Sequence, residues 1–380
     1  MQAQSPPRQA NNLLAWVIAA LGVTLLLLLL LSFMAEAQPP ASSEVAGATS
    51  NRIAYLEFGL NADTLWLADP AAPTERREVL KVHHASQYGA LPSISPDGAH
   101  FAYTALPDGL ARPKPDSPAG LWVAPIEEGA RPRQIADDID LMVAPLWTPD
   151  GASLLYRRST EGAHVLALTA LDGSEERVVA RSDVESLFPV GFAHGGETLY
   201  YAGISDRGGT HLYAVSPAGG AETRVAKLSP GLTRDWTLSP DGTRLAYLEI
   251  AFSEAEVASR ASVLDVESGA AVPLTSTDEV ALGPLWSDST ELTVGVFKPG
   301  ASESSLLRVD GASRSHINGP ATGFNVPVAY DAKTDTYLVR AFENDSITAP
   351  GRSVLVLVGP DGERTTVAEG EVSLVGWIRP

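Results

Sequence analysis

The chain has 380 residues, 44% of them apolar and 19% charged, ordinary for a folded protein and too apolar for an intrinsically disordered one. Its net charge of −19 repels phosphate backbones and argues against nucleic acid as a partner. With no cysteine it can build no disulfide, thiolate catalyst, cysteine-held zinc site or iron–sulfur centre.

In chain order, residues 1–12 read as a short tail carrying Arg8. Residues 13–34 contain no charge and include an unbroken leucine run from Leu25 to Leu31. As a helix they would span about 33 Å at ~1.5 Å per residue, enough for a bilayer core of about 30 Å. With Arg8 before it and Glu36 after it, the positive-inside tendency places the tail in the cytoplasm and the rest outside. The alternative is a cleaved signal: Ala35-Glu36-Ala37 has the small-x-small form of a cleavage site, although the apolar stretch exceeds the ~7–15 residues usual for such signals. Residues 35–50, rich in Ala, Ser, Pro and Gln, read as a flexible tether.

From residue 51 to 380 the sequence repeats. Ile94-Ser95-Pro96-Asp97-Gly98 leads to Phe101-Ala102-Tyr103, Trp147-Thr148-Pro149-Asp150-Gly151 to Leu154-Leu155-Tyr156, and Leu238-Ser239-Pro240-Asp241-Gly242 to Leu245-Ala246-Tyr247. Weaker copies surround Ala193, Ser287 and Tyr330. Each unit predicts an apolar strand, a tight turn in which Pro fixes φ and Gly accepts a positive φ, and a second strand. A third strand follows a variable loop, as at Leu121–Ala124, Leu212–Val215 and Leu306–Val309, then another turn and a fourth strand such as Arg177–Val179. Four strands per ~45 residues is the period of a β-propeller blade. The C-terminal Gly376-Trp377-Ile378 reads as a first strand lacking a second, and Arg52-Ile53-Ala54-Tyr55 as a second strand lacking a first. Together they would close one blade, giving an all-β, single-domain propeller of seven four-stranded blades, with six or eight as alternatives.

The aromatic–Ser-Pro-Asp-Gly turn followed by Leu-Ala-Tyr resembles the WD40-like repeat of TolB-type propellers, which is also found in propeller domains of prolyl oligopeptidase relatives. The resemblance covers about 51–380 and implies a propeller that binds other proteins without catalysis. TolB itself carries a separate α/β domain before its propeller, and the repeats leave no stretch of residues 51–380 for one.

No Gly-x-Ser-x-Gly elbow, phosphate loop or His-Glu-x-x-His helix appears, and no enzymatic activity, metal or cofactor is expected. Asp97, Asp150 and Asp241 recur at one turn position and are expected to cap their own turns. Trp66, Trp122, Trp147, Trp236, Trp286 and Trp377 are expected on strands, packed between blades. His83-His84 has no carboxylate nearby in sequence at metal-ligand spacing and reads as surface or packing. Asn344-Asp345-Ser346 matches a glycosylation acceptor, and Asp137-Asp138-Ile139-Asp140 lacks the Gly and Glu of an EF-hand.

Length variation concentrates in the loops between second and third strands: Leu106–Gly120, Ser205–Thr210, Leu248–Ala261, Lys298–Ser304 and Glu343–Gly351. In a propeller these share one face with the crossings between blades. Those crossings hold Asp137, Asp138, Asp140, Asp183, Glu185, Asp235, Asp278 and Glu279, the candidate partner-binding residues. A protein, peptide or cation partner in the cell envelope is expected there. A glycan- or peptide-cleaving enzyme with carboxylates on the same rim, and a sensor ectodomain working with a membrane partner, are the alternatives.

Overall fold

The computed structural model describes residues 51–378, except 111, 115, 161, 206–207, 253–256, 300–303 and 319–322. The expected span at 13–34, its flanking segments and Arg379-Pro380 lie outside the described residues. Among the described residues no helix is long and apolar enough to cross a membrane.

Seven four-stranded antiparallel sheets account for the strands. Blades 1 to 6 occupy residues 91–139, 146–182, 185–229, 232–273, 280–318 and 324–369, and blade 7 joins 372–378 to 52–83. The closure is as the sequence implies: Arg52 pairs with Ile378, Ile53 with Trp377 and Glu57 with Val372. Packing shows that the ring is complete. The buried apolar residues form seven clusters, each shared by adjacent blades, and the last two join blade 7 to blades 6 and 1. Six and eight blades are thereby set aside.

The repeated turn explains its own sequence. In blade 1 the Ser95 hydroxyl donates to Asp97 Oδ1 (2.5 Å) and accepts from the His100 amide (2.9 Å), while Asp97 Oδ1 accepts the Ala99 amide (3.0 Å). Thr148/Asp150 and Ser239/Asp241 repeat the arrangement in blades 2 and 4. Gly98, Gly151 and Gly242 take φ of 67°, 69° and 72°, which a side chain would strain. Thus Asp97, Asp150 and Asp241 do cap their own turns.

Two sequence expectations needed adjustment. The weaker copy around Tyr330 is one residue out of step with the others: Tyr330 pairs with Tyr337 as Trp147 pairs with Leu154, so it stands where blade 2 has Trp147. The expected loop at 248–261 is largely strand: Arg244–Phe252 and Val257–Asp265 pair along their whole length. Leu248-Glu249-Ile250 alternates apolar and polar residues, which suits a strand with one packed face.

His84 is the larger surprise. It is fully buried, whereas His83 is exposed. Its Nδ1 lies 2.9 Å from Ala85 O, an acceptor, so this nitrogen carries a proton. Nε2 lies 2.9 Å from Asp63 Oδ1, on a residue also 0% exposed. Asp63 in turn accepts the Gly59 amide (3.0 Å) and the Ala90 amide (2.7 Å). With acceptors on both ring nitrogens, the imidazole is best satisfied as a cation donating twice. Burial opposes that charge, but the bonds to Asp63 and Ala85 outweigh it and the pKa is raised. The pair clasps the Phe58–Asp63 hairpin of blade 7 to the crossing into blade 1.

Candidate functional site

The innermost strands have no partner on their inner edge, so a missing N–H costs no ladder bond there. Proline exploits this: Pro92, Pro189, Pro284 and Pro327 stand in the innermost strands of blades 1, 3, 5 and 6, and Pro145 just precedes that of blade 2. In blades 3 to 7 the pairing of the innermost strand also slips at this level, the mark of a bulge that re-aims side chains. These strands enclose a central channel. Its half nearer the crossings, about 150 Å³, is lined by Phe188, Pro189, Arg234, Asp235, Trp236 and Pro284, among others.

Blade 4 departs from the apolar pattern. Where blade 5 has Gly283-Pro284-Leu285-Trp286, blade 4 has Asp235-Trp236-Thr237-Leu238. Both Gly283 and Asp235 have φ of 52°. Glycine takes that conformation freely, but an L residue pays for it with backbone strain of about 1–2 kcal/mol, less for Asp or Asn. A strained residue is retained where its side chain matters.

Asp235 Oδ2 lies 3.7 Å from Nε of the buried Arg234, and 17% of the Asp235 side chain is exposed. Protein surrounds the carboxyl within the channel. Burial raises its pKa, and the Arg234 charge only partly opposes this. Beside it, Trp236 donates its indole N–H to Thr233 Oγ1 (2.8 Å) and packs on Phe188, with ring centroids 5.6 Å apart. The Arg157 guanidinium also lies over the Phe188 ring, 4.4 Å from its centroid. Arg157 is buried, donates to Leu187 O (3.0 Å), and pairs with Asp140 Oδ2 at 2.7 Å. Burial lowers the Arg157 pKa although Asp140 supports its charge. One continuous wall therefore runs from Asp140 through Arg157, Phe188 and Trp236 to Asp235, across blades 2, 3 and 4.

Of the eight acidic residues singled out by sequence, the structure brings Asp140 and Asp235 to this wall. Glu185 lies 3.4 Å from His211 Nδ1 and accepts from Tyr213, whose pKa is pushed up to about 12, by burial first and then by this bond. Asp137 and Asp138 are exposed at the end of the outer strand of blade 1. Asp183 lies 3.8 Å from Arg181. Asp278 pairs with Lys298 at 2.9 Å, and Glu279 accepts from the Ser276 amide and hydroxyl. The rim is thus not one cluster: Asp183, Glu185, Asp278 and Glu279 are held by local partners, while Asp137 and Asp138 stand exposed. Sequence reading missed Arg157, Phe188 and Arg234, and expected Trp236 to pack between blades without seeing that it lines the channel. Aligning the blade 4 and blade 5 innermost strands would have exposed the Asp-Trp for Gly-Pro exchange.

The Asp carboxyls should titrate in opposite directions, which carboxyl-carbon NMR can follow. Asp235 should protonate above the usual value of ~3.9, and its contribution to stability should fall as pH rises between that value and its raised folded pKa. Asp150, held low by the Thr148 hydroxyl and the Ala152 amide, should protonate below it, its contribution lost as pH falls through the lowered folded pKa. Asp97 and Asp241 behave like Asp150, because hydrogen bonds from their turns outweigh burial. Coincident titration of Asp235 with these turn residues would remove the case for an enclosed carboxyl.

Solved structures place the chain among β-propellers. It is similar to a prolyl endopeptidase (TM-score 0.59, 13% identity, 97% of this chain and 56% of that one). It is also similar to oligogalacturonate lyase from Vibrio parahaemolyticus (0.57, 9%, 84% and 86%) and to TolB from Acinetobacter baumannii (0.48, 20%, 72% and 65%). No protein-family pattern and no curated protein matches the sequence. At these identities the first two likenesses bear on the fold alone and say nothing about activity, and the count of seven blades rests on the sheets themselves. Among the described residues no three His, Asp or Glu side chains are placed to share a metal ion.

Proposed function

We propose that the chain is a binding scaffold that engages a basic, partly apolar protein or peptide through its crossing face and the adjoining channel mouth. One observation carries this reading. Among the described residues six large apolar side chains are exposed, and four of them stand on that face: Leu60 (64%), Leu110 and Val184 (71%) in loops or crossings, and Leu232 at the first position of the innermost strand of blade 4. They follow one another around the arc from blade 7 to blade 4. Apolar side chains grouped on a rigid loop face, interleaved with Asp108, Asp183 and Glu185, suit a partner with apolar anchors and positive charge. An overall charge of −19 would steer such a partner and repel an anionic glycan such as an oligogalacturonate.

The anchor fits the same picture. Asn51, where the tether would join the propeller, donates to Asp331 Oδ2 (3.3 Å) beside a first–second strand turn, on the face opposite the crossings. With residues 13–34 in a membrane, the crossing face would be free to look away from the attachment point.

Replacing Leu60, Val184 and Leu232 together by Ser should leave folding intact and cut partner capture at least ~10-fold, as expected when exposed anchors are truncated. Unchanged capture by the triple variant would overturn the reading.

A further inference from the structure

The opposite mouth of the channel opens on the face of the Pro-Asp-Gly turns and plays no part in the reading above. This half encloses about 440 Å³ and meets the first at Leu146, Val190 and Thr237. Its wall contains Trp147, Phe192, Trp286, Tyr330 and Trp377, contributed by five blades. Pro96, Pro149 and Pro240 edge it, and the residues that follow them, Asp97, Asp150 and Asp241, are exposed. Asp288 in blade 5 is exposed at the corresponding turn. Among the described lining residues the sole basic side chain is His194.

A second observation concerns hydrogen bonding. Trp286 donates its indole N–H to Thr237 O at 3.0 Å. The equivalent Trp147 and Trp377, 3% and 8% exposed, have no acceptor for theirs among the described residues. Buried indole N–H groups normally find a partner. Two unpaired donors therefore lie buried just behind the aromatic lining, with a carboxylate rim outside.

We infer that this mouth binds an alkylammonium or guanidinium group borne on an apolar body. The partly exposed rings of Phe192 and Tyr330 attract the cation, the exposed carboxylates add to that attraction, and the proline and aromatic lining packs on the apolar body. The group can come from a Lys or Arg side chain of a peptide or from a free polyamine.

The test is a tryptophan-fluorescence titration of the full chain at low ionic strength. The probes are spermidine, acetyl-Phe-Lys-amide and, as the uncharged control, acetyl-Phe-Gln-amide. At least one cationic probe should saturate, binding at least ~10-fold tighter than the control, within the range expected for a cation on aromatic faces. Ala332→Arg, which adds a positive charge at an exposed lining position, should weaken it ~10-fold. Phe192→Ala should weaken it ~3-fold or more. The Leu60, Val184 and Leu232 triple variant should bind the probe unchanged, which separates this site from the crossing face. Which cationic probe saturates identifies the source. No saturation by either below ~10 mM, equal binding of the control, or indifference to Ala332→Arg would overturn the inference.

Discussion

Deletion of residues 372–378 should abolish cooperative unfolding of the propeller and cause self-association. All seven residues of that strand are buried, and it is the innermost strand of blade 7. Without it the Arg52–Glu57 strand becomes a bare edge, with N–H and C=O groups presented along it. Two apolar clusters, those joining blade 7 to blades 6 and 1, lose Leu374, Val375, Trp377 and Ile378 at once. A milder version is Trp377→Ala, which removes a side chain 8% exposed and should cost about 3–5 kcal/mol in urea unfolding. If the truncated chain remained monomeric and melted in one sharp transition, the ring would not depend on its closing blade.

Asp63→Ala should be nearly as damaging, at about 3–5 kcal/mol, because it leaves the buried His84 cation without its counter-charge. It also leaves the Gly59 and Ala90 amides without the acceptors they have now. The pH dependence has a definite sign. His84 has a raised pKa in the folded chain, so its contribution is fully present below the unfolded value of ~6.5 and is lost as pH rises through the folded pKa. Urea midpoints measured from pH 6 upward should therefore fall in the parent over that window and stay flat in His84→Phe, which lacks the titrating group. Parallel curves for the two proteins would show that the imidazole is not charged in the fold.

The architecture was legible in sequence because each blade must build the same turn. Ser-Pro-Asp-Gly encodes its own hydrogen bonds within five residues, so its recurrence reports a period directly. Ring closure was equally readable, since half a repeat at each end has one arrangement that hides both edges. The channel wall was harder to see. Asp235 and Asp140 were noticed for their charge, but Arg157 and Phe188 join them only when blades 2, 3 and 4 stack around an axis, a contact that no local pattern records. The same holds for Asp63 and His84, which lie 21 residues apart in sequence on either side of a complete hairpin. Acidic loops looked like one rim in the sequence because charge is visible there, whereas local pairing, such as Lys298 with Asp278, depends on side-chain placement. The strain at Asp235 could have been inferred from Gly283 in the neighbouring repeat, had the innermost strands been aligned as closely as the turns.

The direct test of the scaffold reading is position-specific crosslinking. A photo-reactive residue placed at Val184 or Leu232 on the crossing face, and in parallel at Val272 on an outer edge strand, would be activated in intact cells. The account predicts one discrete adduct from both crossing-face positions, absent from Val272 and lost when the remaining face residues Leu60 and Leu110 are changed to Ser. An adduct from Val272 alone would contradict it.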